Sequence, residues 1–269
     1  MVISIIGQSS FIGKELAKFF KNKHKIINVN IRKIDLTLNS NQIVELLVKS
    51  LDNSDYVINC CASLKPKTTN DFFVNSKLPV LLQKAVIRLK NKSRLIHLST
   101  LNTLIKERKD NYSTSKKKGE QGLRKKNSII LRLPLIYNNK LNPKISGNLI
   151  IFHKYLDIEI LPFYPMIYPG HIYQPILIDD LCEFINKLIK SKFLFQNYNL
   201  VGKKKLTLWQ LFNDIAEKRK KKTIKINTLI LSKIFSKFKH VRLIRNNDFL
   251  SQILSIDQTK LGNNKTIKV

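Results

Sequence analysis

The sequence predicts an α/β protein: a doubly wound parallel sheet with a smaller C-terminal lobe. Three observations predict it. Short β-branched runs alternate with amphipathic helical stretches through the first half of the chain, which is the pattern of βαβ units. The first run ends at a glycine that opens a tight turn into a helix. From about Pro134 the alternation becomes irregular, broken by Pro143, Pro162, Pro165, Pro169, Gly170 and Pro175.

Residues 2–6 read as the first strand, stopping at Gly7, and 14–21 as a helix with Leu16, Phe19 and Phe20 apolar. Residues 25–31 form a second strand, and 42–51 a helix with Ile43, Leu46 and Leu47 on one face. A third apolar strand covers 56–61. Residues 72–89 form a helix that continues through Pro79 or starts again there. Strands at 94–99 and 128–133 flank a helical stretch at 112–123. The sheet domain is therefore set at 1–134, with later strands contributed from about 170–202. The lobe occupies mainly 135–269 and carries helical patterns at 178–191 and 208–218.

The 269 residues suffice for one large α/β domain or a sheet domain with a smaller partner, and 43% hydrophobic content is ordinary for a globular chain. No run of about 18 apolar residues appears, so no membrane span is expected. The N-terminus lacks a basic leader and reads as a strand, not a signal peptide. Cys60, Cys61 and Cys182 have neither metal-ligand nor disulfide spacing, which suits a reducing cytoplasm. The net charge of +31 comes from 40 Lys and only 9 Arg, scattered among Asn and Ile. A nucleic-acid reader clusters its charge and favours Arg, so a lysine-rich background is the expectation, with some charge serving an anionic substrate. The basic run at 218–222 is read as a solvated loop. No nucleic-acid partner is expected.

His24, His97, His153, His171 and His240 stand alone, so no metal is expected. Asp179 and Asp180 sit where carboxylates cap a helix start. Trp209 is expected to pack inside the lobe, and 224–238 is basic and amphipathic.

Gly7 and Gly13 lie right after a strand and right before a helix. There, small residues let backbone amides approach a dinucleotide pyrophosphate. Ser10 stands where a middle glycine is expected, and its hydroxyl could itself reach a phosphate. The end of the second strand, Asn28-Val29-Asn30-Ile31-Arg32-Lys33, has no acid and two cations. That chemistry suits a ribose 2′-phosphate, so NADP is favoured over NAD.

Tyr112 and Lys116 lie one helical turn apart. A free phenol titrates near 10, and a nearby ammonium favours the phenolate, so Lys116 is expected to lower the Tyr112 pKa. With 8 Tyr and 40 Lys, chance alone yields about one such pair, so position carries the weight. The pair follows a strand ending in Ser99-Thr100, whose hydroxyl can polarise a substrate carbonyl.

On these residues the chain resembles an extended short-chain dehydrogenase/reductase of the NAD-dependent epimerase/dehydratase group. The matching pieces run in family order: Gly7 to Gly13; Ile34-Asp35-Leu36 near the adenine; Val57 to Ala62; Asn75; His97 to Thr100; Tyr112 with Lys116; Arg132-Leu133-Pro134 beside the nicotinamide; and Pro175 to Leu181 opening a lobe helix. Tyr198-Asn199-Leu200 and Ser255 to Gly262 resemble later signatures.

The resemblance implies a Rossmann-type sheet, NADP or NAD as cofactor, and a nucleotide-sugar substrate of epimerase or 4-ketoreductase chemistry in surface polysaccharide biosynthesis. It implies catalysis by Thr100, Tyr112 and Lys116. It sets Gly7, Ser10, Phe11, Ile12, Gly13, Arg32, Asp35, Leu36, Cys61, Asn75, Ser99, Lys116 and Pro134 around the cofactor. Arg242 or Arg245 would meet a substrate pyrophosphate, and homodimerisation through helices of the sheet domain is a family expectation.

Two departures matter. Only 12 positions separate Thr100 from Tyr112, which shortens the loop over the substrate. No carboxylate follows Thr100 in Leu101-Asn102, which disfavours a dehydratase. A reductase of another small carbonyl and a non-catalytic NAD(P)-binding relative are the alternatives.

Overall fold

The apolar runs pair as a parallel sheet. The computed structural model describes residues 1–35, 37–89, 92–105, 108–124, 127–138, 150–159, 162–170, 172–191, 197–227 and 266–269. In chain order the first elements are β1 (Val2–Ile6), α1 (Phe11–Phe20), β2 (Lys25–Val29), α2 (Ser40–Ser50), β3 (Tyr56–Asn59), α3 (Thr69–Ser76), α4 (Leu78–Arg88), β4 (Arg94–Thr100), α5 (Asn111–Gln121) and β5 (Ser128–Leu133). There follow β6 (Ile136–Tyr137), α6 (Ile150–Leu156), β7 (Tyr164–Tyr168), β8 (Ile172–Tyr173), β9 (Ile176–Leu177) and α7 (Ile178–Lys190). The last are β10 (Asn197–Val201), β11 (Leu206–Thr207), α8 (Leu208–Lys218), β12 (Thr223–Asn227) and β13 (Thr266–Lys268).

The main sheet has seven strands in the order β13-β10-β5-β4-β3-β1-β2. The pairs from β2 across to β10 are all parallel. Covered on both faces, such strands read as near-continuous hydrophobic runs. In β1, Ile3, Ile5 and Ile6 are fully buried, as are Val57 and Ile58 in β3 and Leu95 and Ile96 in β4. From β1 the chain runs outward to β2, then returns to β3 on the other side. The strand order therefore reverses between β1 and β3, and the carboxyl ends of these two strands border the crevice where open α/β sheets bind ligands.

Local chemistry sets the helix boundaries. Ser10 caps α1, which begins three residues before the sequence pattern suggested, because the Ser10 hydroxyl accepts from Gly13 N–H at 3.1 Å. Asn39 and Gln42 form a capping box that opens α2 at Ser40. The stretch around Pro79 is two helices: α3 ends at Ser76, and Pro79 sits in the first turn of α4, where its missing N–H costs nothing. Leu78, Leu81, Leu82, Ala85 and Val86 of α4 pack with Ile43, Val44 and Leu47 of α2 against the sheet. Full burial of each Leu, Ile or Val contributes roughly 1.5–3 kcal/mol.

The chain divides into two units. The first comprises Met1–Leu133, Ile178–Leu200 and Asn263–Val269, and the second Pro134–Leu177 and Val201–Gly262. Three strand pairs not foreseen from the sequence build the second unit: β12 parallel to β7, β11 antiparallel to β8, and β6 parallel to β9. Its core gathers Leu156, Tyr164, Phe212, Ile215 and Ala216. Trp209 is half-buried, edge-on to Tyr168, with the Lys225 ammonium 4.4 Å from its ring centroid. The basic stretch expected at 224–238 starts as strand β12; its remainder lies outside the described residues, as do Arg242, Arg245 and 255–262.

Candidate active site

The β1–α1 turn is built for close approach. Gly7 has φ +80°, a conformation glycine adopts without strain. A Cβ there would lie 2.7 Å from Cys61 Sγ and 3.0 Å from Cys61 N, so the turn and the end of β3 press together. A Cβ on Gly13 would meet Gly7 O at 2.3 Å. Ser10 N–H closes the turn on Gly7 O at 2.9 Å, and the Ser10 hydroxyl accepts from Gly13 while keeping its own proton for another acceptor. Phe11 and Ile12 are the first residues of α1, where amides have no preceding helical carbonyl to bond. The turn thus offers two amides, a hydroxyl and the positive end of a helix to an anion. Gln8 Oε1, in the same turn, is buried without a hydrogen-bond partner among the described residues.

At the end of β2, Arg32 lies in a short 3-10 turn whose first amide bond goes to Asn30 Oδ1 at 3.1 Å. Its side chain is exposed, and its charge reaches the Cys61 thiol. Asp35 is engaged by its own loop: Thr37 donates to Oδ1 through its amide at 2.9 Å and its hydroxyl at 2.7 Å, holding the carboxyl below its usual range. Leu36 lies outside the described residues.

The end of β3 is tied down from three sides. Asn59 Oδ1 accepts from Cys61 N–H at 3.1 Å, and Asn59 Nδ2 meets His97 Nδ1 at 3.2 Å. Burial, with the Lys116 charge second, holds His97 well below its usual range, so the ring is neutral and Nδ1 accepts from Asn59. His97 Nε2 has no partner among the described residues. Asn75, expected beside the cofactor, is fully committed within the protein. It donates to Ser63 O at 2.8 Å and Ser115 Oγ at 3.0 Å, and accepts from Ser63 N–H at 3.0 Å. It therefore binds the loop after β3 to α5.

Thr100 ends β4, and its Oγ1 accepts from Asn102 N–H at 3.3 Å. Asp110 caps α5 by accepting from Ser113 N–H at 2.9 Å, so Tyr112 is the second residue of that helix. One turn later, Lys116 is 1% exposed. Its Nζ donates to Leu98 O at 2.9 Å and Cys61 O at 3.4 Å. An ammonium has three protons, so one is left for a ligand. Burial drops the Lys116 pKa to about 8, against the opposing pull of Cys61 and Glu120. Lys116 thus joins the ends of β3 and β4.

The expected lowering of the Tyr112 pKa is overturned. Burial, and then the neighbouring Asp110 carboxylate, push the phenol up to about 12, against the opposing pull of Arg108. The Lys116 ammonium is drawn to the two strand carbonyls. Tyr112 is held as a neutral phenol. Asp110 and its ion-pair partner Arg108, at 2.7 Å, were not singled out in the sequence.

Ser99, also expected at the cofactor, donates to buried Glu120. Pro134 opens the second unit directly after β5. Cys60, Cys61 and Cys182 are free and buried, with their thiols pushed up by burial. Among the described residues, no group of three or more His, Cys, Asp or Glu could hold a metal ion, and no helix is long and apolar enough to cross a membrane.

Neither a protein-family model nor a curated protein sequence matches the chain. Solved structures do. A dTDP-4-dehydrorhamnose reductase from Bacillus anthracis, in complex with NADP, aligns at TM-score 0.67 and 17% identity over 86% of this chain and 85% of that one. A UDP-glucose 4-epimerase from Thermotoga maritima, with UDP-glucose, aligns at 0.64 and 19% over 85% of each. A UDP-glucuronic acid 4-epimerase from Bacillus cereus, in complex with NAD, aligns at 0.64 and 18% over 85% and 86%. The chain has their fold. The doubly wound, Rossmann-like sheet expected from the sequence is thus observed, and the likeness extends over most of the chain's length.

Proposed function

We propose that the protein is an NAD(P)-dependent enzyme of the extended short-chain dehydrogenase/reductase type that reduces a keto group on a nucleotide-activated sugar. One observation carries the reading. The Lys116 ammonium is bonded to the carboxyl ends of β3 and β4, beside the Gly7 turn, on the helix that carries Tyr112 in its first turn. Support for the substrate class comes from the fold shared with enzymes named for dTDP- and UDP-sugars. The dinucleotide fits the residues present: Gly7 and Gly13 leave backbone bare, the amides of Phe11 and Ile12 at the start of α1 would meet its pyrophosphate, and Lys116 keeps a proton for a ribose hydroxyl. When bound, the nicotinamide supplies the hydride chemistry.

The chain's own residues handle orientation and the proton. Thr100 Oγ1 donates to the substrate carbonyl oxygen, and Tyr112 delivers its phenolic proton to the same oxygen as charge develops there. A phenol held up near 12 is protonated at neutral pH, which is the state a reductase needs at the start of turnover. The reductase direction is taken from the dTDP-4-dehydrorhamnose reductases among the solved structures that share this fold. A cytoplasmic setting, with NADPH and nucleotide sugars at hand, accompanies this reading.

The test is loss of reduced-nicotinamide absorbance with a nucleotide-linked 4-keto sugar, comparing wild type with Tyr112→Phe. The expected loss is about 100-fold or more. Undiminished turnover in Tyr112→Phe would remove the mechanism.

A further inference from the structure

Beneath the proposed site lies a buried polar network that the chemistry above does not use. Tyr112, Lys116 and Glu120 are spaced by four along α5 and share one face. Glu120 is buried. Its Oε2 accepts from Arg132 Nε at 2.9 Å and Nη2 at 2.7 Å, a two-pronged ion pair with the guanidinium of β5. Its Oε1 accepts from Ser99 Oγ of β4 and from Thr103 Oγ1 at 3.0 Å. The Thr103 hydroxyl also lies 2.9 Å from Thr100 O, so its proton is shared between the carboxylate and the backbone of the strand end. Arg132 Nη1 reaches Asn199 Oδ1 of β10 at 3.3 Å. One carboxylate therefore joins α5 to β4, β5 and the turn after Thr100.

We propose that Glu120, paired with Arg132, is a positioning residue that fixes Tyr112 and Lys116 against Thr100. The reason is geometric. Between Thr100 and Tyr112 the connecting loop is short, and α5 meets the strand ends through two anchors. One is Lys116 on Leu98 O and Cys61 O; the other is Glu120 on Ser99, Thr103 and Arg132. Without the Glu120 anchor, α5 keeps the Lys116 bonds and the Asn75–Ser115 bond but loses its tie to the turn after Thr100, and the phenol moves relative to Thr100 Oγ1.

The role rests on the function proposed above, so the experiment separates the two. Glu120→Ala leaves a buried guanidinium without a counter-charge and can fail for that reason alone. The decisive variant is Glu120→Met/Arg132→Met, which removes both charges and fills the same space. Three quantities are measured: the urea midpoint, amide hydrogen exchange over residues 111–118, and kcat for the nucleotide-keto sugar. Positioning predicts a midpoint near that of wild type, faster exchange in this first half of α5, and kcat down about tenfold or more, since sub-ångström misplacement is costly. Glu120→Gln, which keeps acceptors for Ser99 and Thr103, is expected to recover part of the kcat lost by Glu120→Ala. Wild-type exchange and wild-type kcat in the restabilised double variant would overturn the proposal. If the wild-type enzyme turns over no nucleotide sugar, the function falls, and the exchange of residues 111–118 still decides positioning: faster supports it, unchanged overturns it.

Discussion

Replacing Lys116 by Met should make the protein more stable and take away its activity. The pKa of the Lys116 ammonium falls from 10.5 to about 8, chiefly through burial, so keeping the charge inside costs roughly 3 kcal/mol at neutral pH, at about 1.4 kcal/mol per pH unit. Against this, Met loses the bonds to Leu98 O and Cys61 O, at about 0.5–1.5 kcal/mol each. The net expectation is a gain of about 1 kcal/mol, read as a melting temperature higher by about 2–4 °C. The pH dependence is a sharper readout. A lysine whose folded pKa lies below its unfolded value binds fewer protons when folded, so stability rises with pH across the interval between the two values. Wild type should gain stability from pH 8 to 10.5 relative to Lys116→Met, whose curve lacks that contribution. Urea midpoints at several pH values for both proteins measure the difference. Parallel curves across that interval, or a clear loss of stability in Lys116→Met, would refute the reasoning. Reduced-cofactor binding by fluorescence should weaken in the same variant, because the remaining ammonium proton is the one left for the ribose.

Gly13→Ala drives a methyl into Gly7 O and Gln8 Cα, both backbone, at 2.3 and 2.8 Å. It should cost about 1–3 kcal/mol by denaturant midpoint and disrupt NADPH binding; an unchanged midpoint and affinity would contradict the turn geometry. His97 is neutral when folded and titrates near 6.5 when unfolded, so its contribution to stability is present above that value and is lost as pH falls below it. The loss approaches about 1.4 kcal/mol per pH unit. Comparing wild type with His97→Gln from pH 7 to 5 isolates it, and equal acid sensitivity would show that His97 contributes nothing. Arg32→Ala should lower affinity for NADPH about tenfold and leave NADH unchanged, checked by fluorescence titration of both. An unchanged preference would remove Arg32 from the 2′-phosphate site.

By itself, the sequence determined the class of the fold and the chemistry-bearing residues. Apolar runs of four to seven residues broken by helical periodicity can be satisfied only by a sheet covered on both faces, so β1, β3, β4 and β5 were legible, as was the turn from Gly7 to Gly13. Boundaries were less so, because caps act through single hydrogen bonds that periodicity does not register. Ser10 looked like a substitute glycine and proves to be the cap of α1. The short strands of the second unit carry two to five residues each, too few for any period to appear.

Tertiary structure alone decided what each candidate side chain does. Spacing put Lys116 one turn from Tyr112, and an ammonium at that distance ought to favour the phenolate. The two carbonyls at the strand ends capture it instead, while burial and Asp110 raise the phenol to about 12. Asn75 and Ser99 match a family pattern in the sequence, and the fold shows that they also bond Ser63, Ser115 and Glu120. Glu120 carried no signal, since one glutamate in a lysine-rich helix reads as a solvated charge. It lies buried because β5 brings Arg132 to it from twelve residues away. Periodicity is a local property and survives in the sequence; electrostatic environment depends on which atoms the fold brings within a few ångströms, and only the folded chain supplies that.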